Sequence, residues 1–461
     1  MRTGIALSLL LILATSLFAQ QPDHSAQMVE LRSLLRNASS LLPMVDETQQ
    51  SSVAANIASL QVQAGDVEGA LLTTKSLASR GDPGLAIDTV AGVLAREGSQ
   101  ELALKLVDTS SRDNIKASSY LQMSIMLAQK GKFELATETA NRIPDDQFPV
   151  WVDASMRIYE MEFKAGKIEP AAQLLQSVEE GLQKGQLSEL PPASRQGLIF
   201  TIIRYLAESG NPVAAWPFLE AMRARADNEP DPTQSNYLLR DLAIAEATLG
   251  GYESALKTIN RLPPGNDRDS GFEVVAMIEA QKGDPDSALE QIPNISQDFL
   301  RLTMLREVAD AESACGNYAK ALMLIEAIPR SGDRAYALAQ LAIEQAQHDD
   351  PTAGYTTELA WDTARENPTQ TAPYVIAYIS VARGLLGDFS GATVLLSDVT
   401  GDSKPWALWN LTNFMVQSGD RDRANALADA QTEAYPRAYA LLGIAQGMLR
   451  QLQPDQDASI R

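Results

Sequence analysis

Gly283-Asp284-Pro285-Asp286-Ser287-Ala288-Leu289 and, 33 residues later, Gly316-Asn317-Tyr318-Ala319-Lys320-Ala321-Leu322 are two copies of one phrase. Apolar residues at helical spacing precede each copy, Val274, Val275 and Ile278 before the first and Leu305, Val308 and Ala309 before the second. Each phrase therefore reads as the turn between two helices. A residue just past a helix C-terminus commonly takes the left-handed conformation, which costs glycine nothing, so Gly283 and Gly316 are placed to end a first helix. Asp284 and Asn317 are placed to cap the second, and Pro285 falls at the first helical position, where its missing N–H does no harm. Gly210-Asn211-Pro212 has the same order. In Asp349-Asp350-Pro351 the glycine is replaced by aspartate, one of the few residues that tolerate the left-handed region.

The phrase recurs along the chain, with anchors at Gly65, Gly98, Gly131, Gly166, Gly210, Gly250, Gly283, Gly316, Asp349, Gly387 and Gly419. Five residues after each stands Ala70, Ala103, Ala136, Ala171, Ala215, Ala255, Ala288, Ala321, Gly354, Ala392 or Ala424. Seven before the anchor the residue is again small in nine copies, among them Ala58, Ala243, Ala276 and Ala309, whereas Tyr159 and Ile203 break the column. Small residues at both places let two helices cross closely. Those two copies border the long spacings of 44 and 40 residues. The extra length falls in Glu179 to Pro192 and Arg223 to Thr233, which read as lengthened second helices followed by loops. Ile143-Pro144, Leu262-Pro263, Ile292-Pro293 and Ile328-Pro329 close second helices that are short, since proline cannot continue them.

With these columns in place the chain resembles the tetratricopeptide repeat family, stacks of antiparallel helix pairs with a period of roughly 34 residues. The family's turn is Gly-Asp-aromatic-x-x-Ala, and the aromatic two after the anchor stands here as Phe133, Tyr252, Tyr318 and Phe389. Tyr439-Ala440-Leu441-Leu442-Gly443 matches the other half of the motif, aromatic-x-x-Leu-Gly. The copies are divergent: proline comes about a turn early, and a small residue replaces glycine in most first helices. Ankyrin repeats share the period, but no Thr-Pro-Leu-His occurs, and pentatricopeptide repeats share a similar turn but bind RNA. The resemblance implies an all-α, right-handed α-solenoid with a concave groove lined by the first helices.

Arg2 followed by an apolar stretch from Gly4 to Ala19 reads as a cleaved export signal, too short at 16 residues for a membrane span. The expected organisation is a signal peptide over 1–19, a continuous solenoid over 20–452 with longer, irregular repeats around 166–250, and a polar tail over 453–461. Of the 461 residues 45% are hydrophobic, enough for a sizeable core, and the formal net charge is −21. That charge repels phosphate backbones and anionic lipid, so nucleic acid and membrane surfaces are disfavoured partners. The single cysteine, Cys315, forms no internal disulfide and is expected as a small buried residue.

Chemistry is sparse. The two histidines, His24 and His348, have no metal-ligand partner at helical spacing, so no metal is implied. The Gly-Asp pairs lack the alternating ligands of a calcium loop and read as turn caps. Carboxylate pairs such as Glu307 with Asp310, or Asp349 with Asp350, could work as acid and base on a sugar, yet 59 acidic residues make close pairs unremarkable. A basic column stands fifteen residues before the anchors, at Lys116, Arg268, Arg301, Arg334 and Lys404. Helix N-termini disfavour positive charge, so some partner must compensate: salt bridges to acids of the neighbouring repeat or packing of the long stems on the structural reading, an anionic ligand or acidic peptide on the functional one. In the resembled family, positions 13, 10 and 6 before the anchor face the groove. Here they supply Tyr237, Arg240, Tyr336, Tyr374, Trp406, Trp409 and Asn413 as candidate partner-binding residues. The expectation is an exported, periplasmic or secreted, non-catalytic scaffold that takes a peptide or protein partner and no cofactor. A polysaccharide-acting envelope enzyme and a purely structural spacer are the alternatives.

Overall fold

The computed structural model describes residues 24–78, 84–110, 112–183, 190–369 and 371–453. The expected signal over 1–19 and the tail beyond 453 lie outside them. Among the described residues the chain is all-α, with 24 α-helices and no strand. The helices are α1 (His24–Leu41), α2 (Glu47–Gln63), α3 (Val67–Ala78), α4 (Gly84–Arg96), α5 (Gln100–Asp108), α6 (Asp113–Gln129), α7 (Phe133–Ala140) and α8 (Phe148–Lys164). Next come α9 (Ile168–Gly181), α10 (Pro192–Glu208), α11 (Trp216–Asn228), α12 (Pro232–Thr248), α13 (Tyr252–Ile259), α14 (Asn266–Gln281), α15 (Pro285–Leu289) and α16 (Asp298–Ala314). The last are α17 (Tyr318–Glu326), α18 (Ser331–Gln347), α19 (Ala353–Glu366), α20 (Pro373–Leu385), α21 (Phe389–Ser397), α22 (Ser403–Gln417), α23 (Arg421–Asp429) and α24 (Ala434–Leu452).

All eleven anchors close their first helix in the same way. The ten glycines have φ between 68° and 100°, and Asp349 has φ 55°. The anchor N–H donates to the carbonyl three residues back at 2.8–3.3 Å, and the next N–H donates to the carbonyl five back at 2.7–3.1 Å. This double closure satisfies two carbonyls that a helix end leaves open. Asp66, Asp284, Asp388 and Asp420 then accept from the N–H three residues on, capping the second helix as expected of turn aspartates. Asn317 does not cap: its amide donates to buried Glu312 at 2.8 Å, a bond its aspartate counterparts cannot make.

Where the helices cross, the residues seven before the anchors are at most 1% exposed in all eleven copies, Tyr159 and Ile203 included. Ten of the residues five after the anchor are fully buried. The exception is Gly354, which is exposed, while Ala353 beside it is fully buried. In that copy Asp350 bonds the backbone of Thr352 and the helix starts only at Ala353, which moves the small contact residue one place. Cys315 is exposed rather than buried, because it is the C-cap residue of α16, outside the helix crossing. The lengthened second helices are present as α9 and α11, of 14 and 13 residues against 8 or 9 in α7, α13, α17 and α21.

Four residues before the anchor lies a buried polar column with no counterpart in the sequence reading: Gln61, Glu162, Glu246, Glu279, Glu312 and Gln345. Most members have a partner from an adjoining turn or second helix. Thr73 bonds Gln61, Thr258 and Arg223 bond Glu246, Lys320 pairs with Glu312 at 2.6 Å, and Gln345 reaches Thr352. Glu279 keeps one oxygen without a partner, and burial raises its pKa above the ordinary carboxylate value.

The basic column also ties elements together. Arg301 and Arg334 each donate to the carbonyl six residues back, Ile295 and Ile328, at the end of the preceding linker, and Arg334 also pairs with Glu366 at 3.0 Å. Arg268 donates to Asn260 and lies over the Phe272 ring. Lys116 and Lys404 are half-buried. Three of the five thus carry structural partners that offset their unfavourable place at a helix N-terminus.

The helices form two compact units. One spans 87–401, a solenoid of stacked helix pairs in which consecutive first helices α12, α14, α16, α18 and α20 pack side by side. The other combines residues up to 86 with 402 onward. Inside it α24 packs on α22, α1 and α2. Arg421 pairs with Glu30 at 2.6 Å, Gln49 donates to Asp402 at 2.9 Å, and the Tyr439 hydroxyl lies 3.3 Å from Ser52 Oγ. A Cβ on Gly443 would sit 2.2 Å from both Thr412 Oγ1 and the Trp409 carbonyl, so α24 approaches α22 at backbone contact. At Gly316 a Cβ would meet nothing within 4 Å, and only its φ of 77° resists substitution. Gly316→Ala is therefore expected to cost about 1–2 kcal/mol by conformation alone. Gly443→Ala should cost more, about 3 kcal/mol from overpacking. Urea unfolding of both variants checks the order, and equal midpoints would rule out the close approach.

Candidate functional site

The first helices of the 87–401 unit pack side by side, and titratable and aromatic side chains meet where α14, α16, α18 and α20 adjoin. Tyr336 of α18 is the centre. Its ring meets Tyr374 at 5.1 Å and Tyr378 at 5.0 Å, both edge to face and both from α20. Such pairs contribute about 0.5–1.5 kcal/mol beyond area burial and fix ring orientation. Burial, with the neighbouring Tyr378 hydroxyl, pushes the Tyr336 phenol well above its usual range, so it stays a neutral donor. Tyr374 is 40% exposed and forms the outer edge of the group.

Beside the tyrosines run acids. Glu307 and Asp310 follow one another by three residues on α16, which sets them on one helix face. Arg306 pairs with Glu307 at 3.1 Å. Burial first, then repulsion from Glu307, partly offset by the pull of Arg306, with a smaller push from Glu344, raises Asp310 to about 6. Glu273 of α14 is raised by burial and by Glu307. Three acids and one arginine thus share this stretch of α14 and α16, with Glu344 facing them from α18.

An open cleft of about 280 Å³ lies between α16 and α18, lined by Asp310, Ser313, Gln340, Glu344 and, from α20, Tyr378. Ser313 Oγ and Gln340 Oε1 are buried without a hydrogen-bond partner. Glu307 does not line this cleft. The Glu307–Asp310 pair therefore does not converge on one enclosed space as a glycosidase acid and base must. Asp349 and Asp350 are occupied as a left-handed turn residue and its cap. Among the described residues no cluster of His, Cys, Asp and Glu could hold a metal ion, and no helix is long and apolar enough to cross a membrane. His348 is exposed and contacts Glu344, while the side chain of His24 lies outside the described residues.

The sequence candidates fall in different places. Tyr336 and Tyr374 meet in the cluster above. Tyr237 and Arg240 stack on each other at 5.4 Å on α12, two first helices from α16, with Arg240 also paired to Asp241. Trp406, Trp409 and Asn413 belong to the other unit. There Trp409 donates to Gln446 of α24 at 2.6 Å and packs against Tyr439 at 5.6 Å, and Asn413 is buried and bonded to Gln417. Trp409 is thus engaged in packing on α24, Asn413 is tied to its own helix, and Trp406 is half-buried on α22. Arg306, Asp310 and Glu273 stand ten, six and ten residues before their anchors. That is the same register that selected the aromatics, so it could have found them.

Antiparallel helix pairs closed by one recurring turn make the chain a TPR-like helical-repeat protein. No family model matches the sequence, and no curated protein sequence matches it. Solved structures similar to it include maize pentatricopeptide repeat protein PPR10, 16% identical over 89% of this chain and 66% of that one, with a TM-score of 0.33. Ton1535 from Thermococcus onnurineus NA1 is 14% identical over 77% of this chain and 97% of that one, at 0.29. Yeast Tom70 is 12% identical over 89% and 98%, at 0.24.

The raised pKa of Asp310 has a signed consequence. A carboxyl whose folded value lies above its unfolded value, about 4, favours folding as the neutral acid. That contribution is present below about 4 and is lost as pH rises through about 6. At pH 7.5 the ionised group thus costs stability, on the order of 3 kcal/mol before solvent screening. Asp310→Asn is expected to melt above wild type at pH 7.5, with the gap shrinking toward pH 4.5 in thermal scans. A gap independent of pH would contradict the burial of this carboxylate.

Proposed function

We propose that the chain is an exported, non-catalytic scaffold that holds a protein partner through an extended peptide segment laid across the first-helix face of the 87–401 unit. The observation that carries the reading is the Tyr336–Tyr374–Tyr378 cluster beside the acids Glu273, Glu307 and Asp310. Tyrosines give large contact area at low entropic cost and dominate binding energy where they anchor a partner. The acids favour a segment of positive charge, and the net charge of −21 steers such a partner inward from solution. Export is supported by the apolar Gly4–Ala19 stretch after Arg2. The maize repeat protein has been solved with an 18-nt RNA element. An acidic face repels a phosphate backbone, which favours peptide over RNA here.

Selection of random peptides on the purified chain, followed by affinity measurement on a Tyr336→Ala, Tyr374→Ala variant, tests this. The expected result is enrichment of extended sequences whose affinity falls about tenfold or more in the variant. Failure to enrich, or equal affinity for both proteins, overturns the reading.

A further inference from the structure

The cleft between α16 and α18 combines apolar lining from Ala314, Leu341 and Ile343 with polar side chains, and no cation stands among them. Asp310 and Glu344 present carboxylates, Gln340 presents an unpartnered amide oxygen, and Tyr378 forms an aromatic wall. Ser313, only 6% exposed, lines the same cleft and has a hydroxyl with no partner. A buried polar atom left unpaired is costly, so a cleft whose lining residues carry two of them is poised for a group that satisfies both. No basic residue lines the cleft among the described residues. Its arginine neighbour, Arg306, is committed to Glu307.

We infer that this cleft is a specificity pocket for an arginine side chain of the bound segment, its guanidinium donating to Asp310, Glu344, Gln340 and Ser313 and its plane resting on Tyr378. The inference rests on the peptide-binding reading above and names the residue that segment must present. Guanidinium fits better than ammonium for two reasons. Its five donors lie in a fixed planar fork that can serve acceptors on two helices at once, and its flat, weakly hydrated face stacks on an aromatic ring. The space, about 280 Å³, suits one side chain rather than a drug-sized molecule. Entry of the cation draws Asp310 to its ionised form, so binding and deprotonation are linked.

The probe is N-acetyl-arginine amide, titrated calorimetrically into the full chain at pH 7.5 beside the citrulline and lysine analogues. Citrulline keeps the shape and lacks the charge. We expect the arginine probe to bind, citrulline and the Asp310→Asn variant to weaken it about tenfold or more, and lysine to weaken it several-fold. Because Asp310→Asn is expected to be stabilising, loss of binding there is not loss of fold, and Gln340→Leu serves as a second variant. Affinity should also fall from pH 7.5 to 5 as Asp310 protonates. Arg306 and Glu307 on α16, Glu344 and His348 on α18 and Tyr378 on α20 are the other ionisable groups facing or adjoining it. Persistence of that pH slope in Asp310→Asn would assign it elsewhere and count against the pocket. Equal binding of arginine and citrulline, or full affinity in Asp310→Asn, overturns the inference. Peptides that select on the tyrosines yet carry no arginine and ignore Asp310→Asn overturn the pocket alone and leave the groove standing. Arginine binding without any selected peptide supports the pocket and removes the scaffold reading.

Discussion

Everything in this molecule depends on a chain reversal made at one residue. At each anchor the backbone enters the left-handed region, and two N–H groups fold back onto the carbonyls of the helix just ended. That geometry admits glycine freely and aspartate at a cost, which is why ten anchors are Gly and one is Asp349. Once the reversal is fixed, the next helix starts within two residues in most copies and returns antiparallel. Residues seven before and five after the anchor are then forced together, and only small side chains fit most of the crossings. The repeat is a consequence of the turn, with the helices following from it.

Because the turn is local, its grammar stands in the sequence. Glycine position, proline position and the two small columns are written within some twenty residues, and the periodicity repeats them often enough to fix the register. What escaped is what depends on partners outside that window. The buried acids Glu162, Glu246, Glu279 and Glu312 look like surface carboxylates in a chain with 59 of them. They are buried because the fourth residue before the anchor points under the turn, where Lys320, Arg223 or Thr258 can meet it. The packing of α24 on α1 and α2 joins residues more than 380 positions apart, as in the Tyr439–Ser52 contact, and no periodic signal reports it.

The same division separates the site residues. Register put Tyr336 and Tyr374 on a first-helix face, and there they meet. Register also put Trp406, Trp409 and Asn413 on such a face, but at Trp409 that face is occupied by α24 through Gln446 and Tyr439. A groove position is a groove only when no further helix covers it, and coverage is a property of the whole topology. Asp310 was legible by position yet masked by composition, since one acid among so many carries no signal until its burial is known.

That burial gives the acidic stretch its meaning. Carboxylates normally escape desolvation by reaching water or pairing with a cation, and Glu312 shows the chain can supply one, Lys320 at 2.6 Å. At Asp310 no cation among the described residues pairs directly: Arg306 is bonded to Glu307 and pulls on Asp310 only from a distance, and Glu344 adds repulsion from α18. A fold selected for stability alone would neutralise this place with a lysine or an amide. Holding an acid out of water beside unpaired oxygens instead preorganises a negative field, so an arriving cation meets acceptors already fixed and already stripped of part of their hydration. The local loss of stability and the capacity to recognise a positive group are one arrangement seen from two sides.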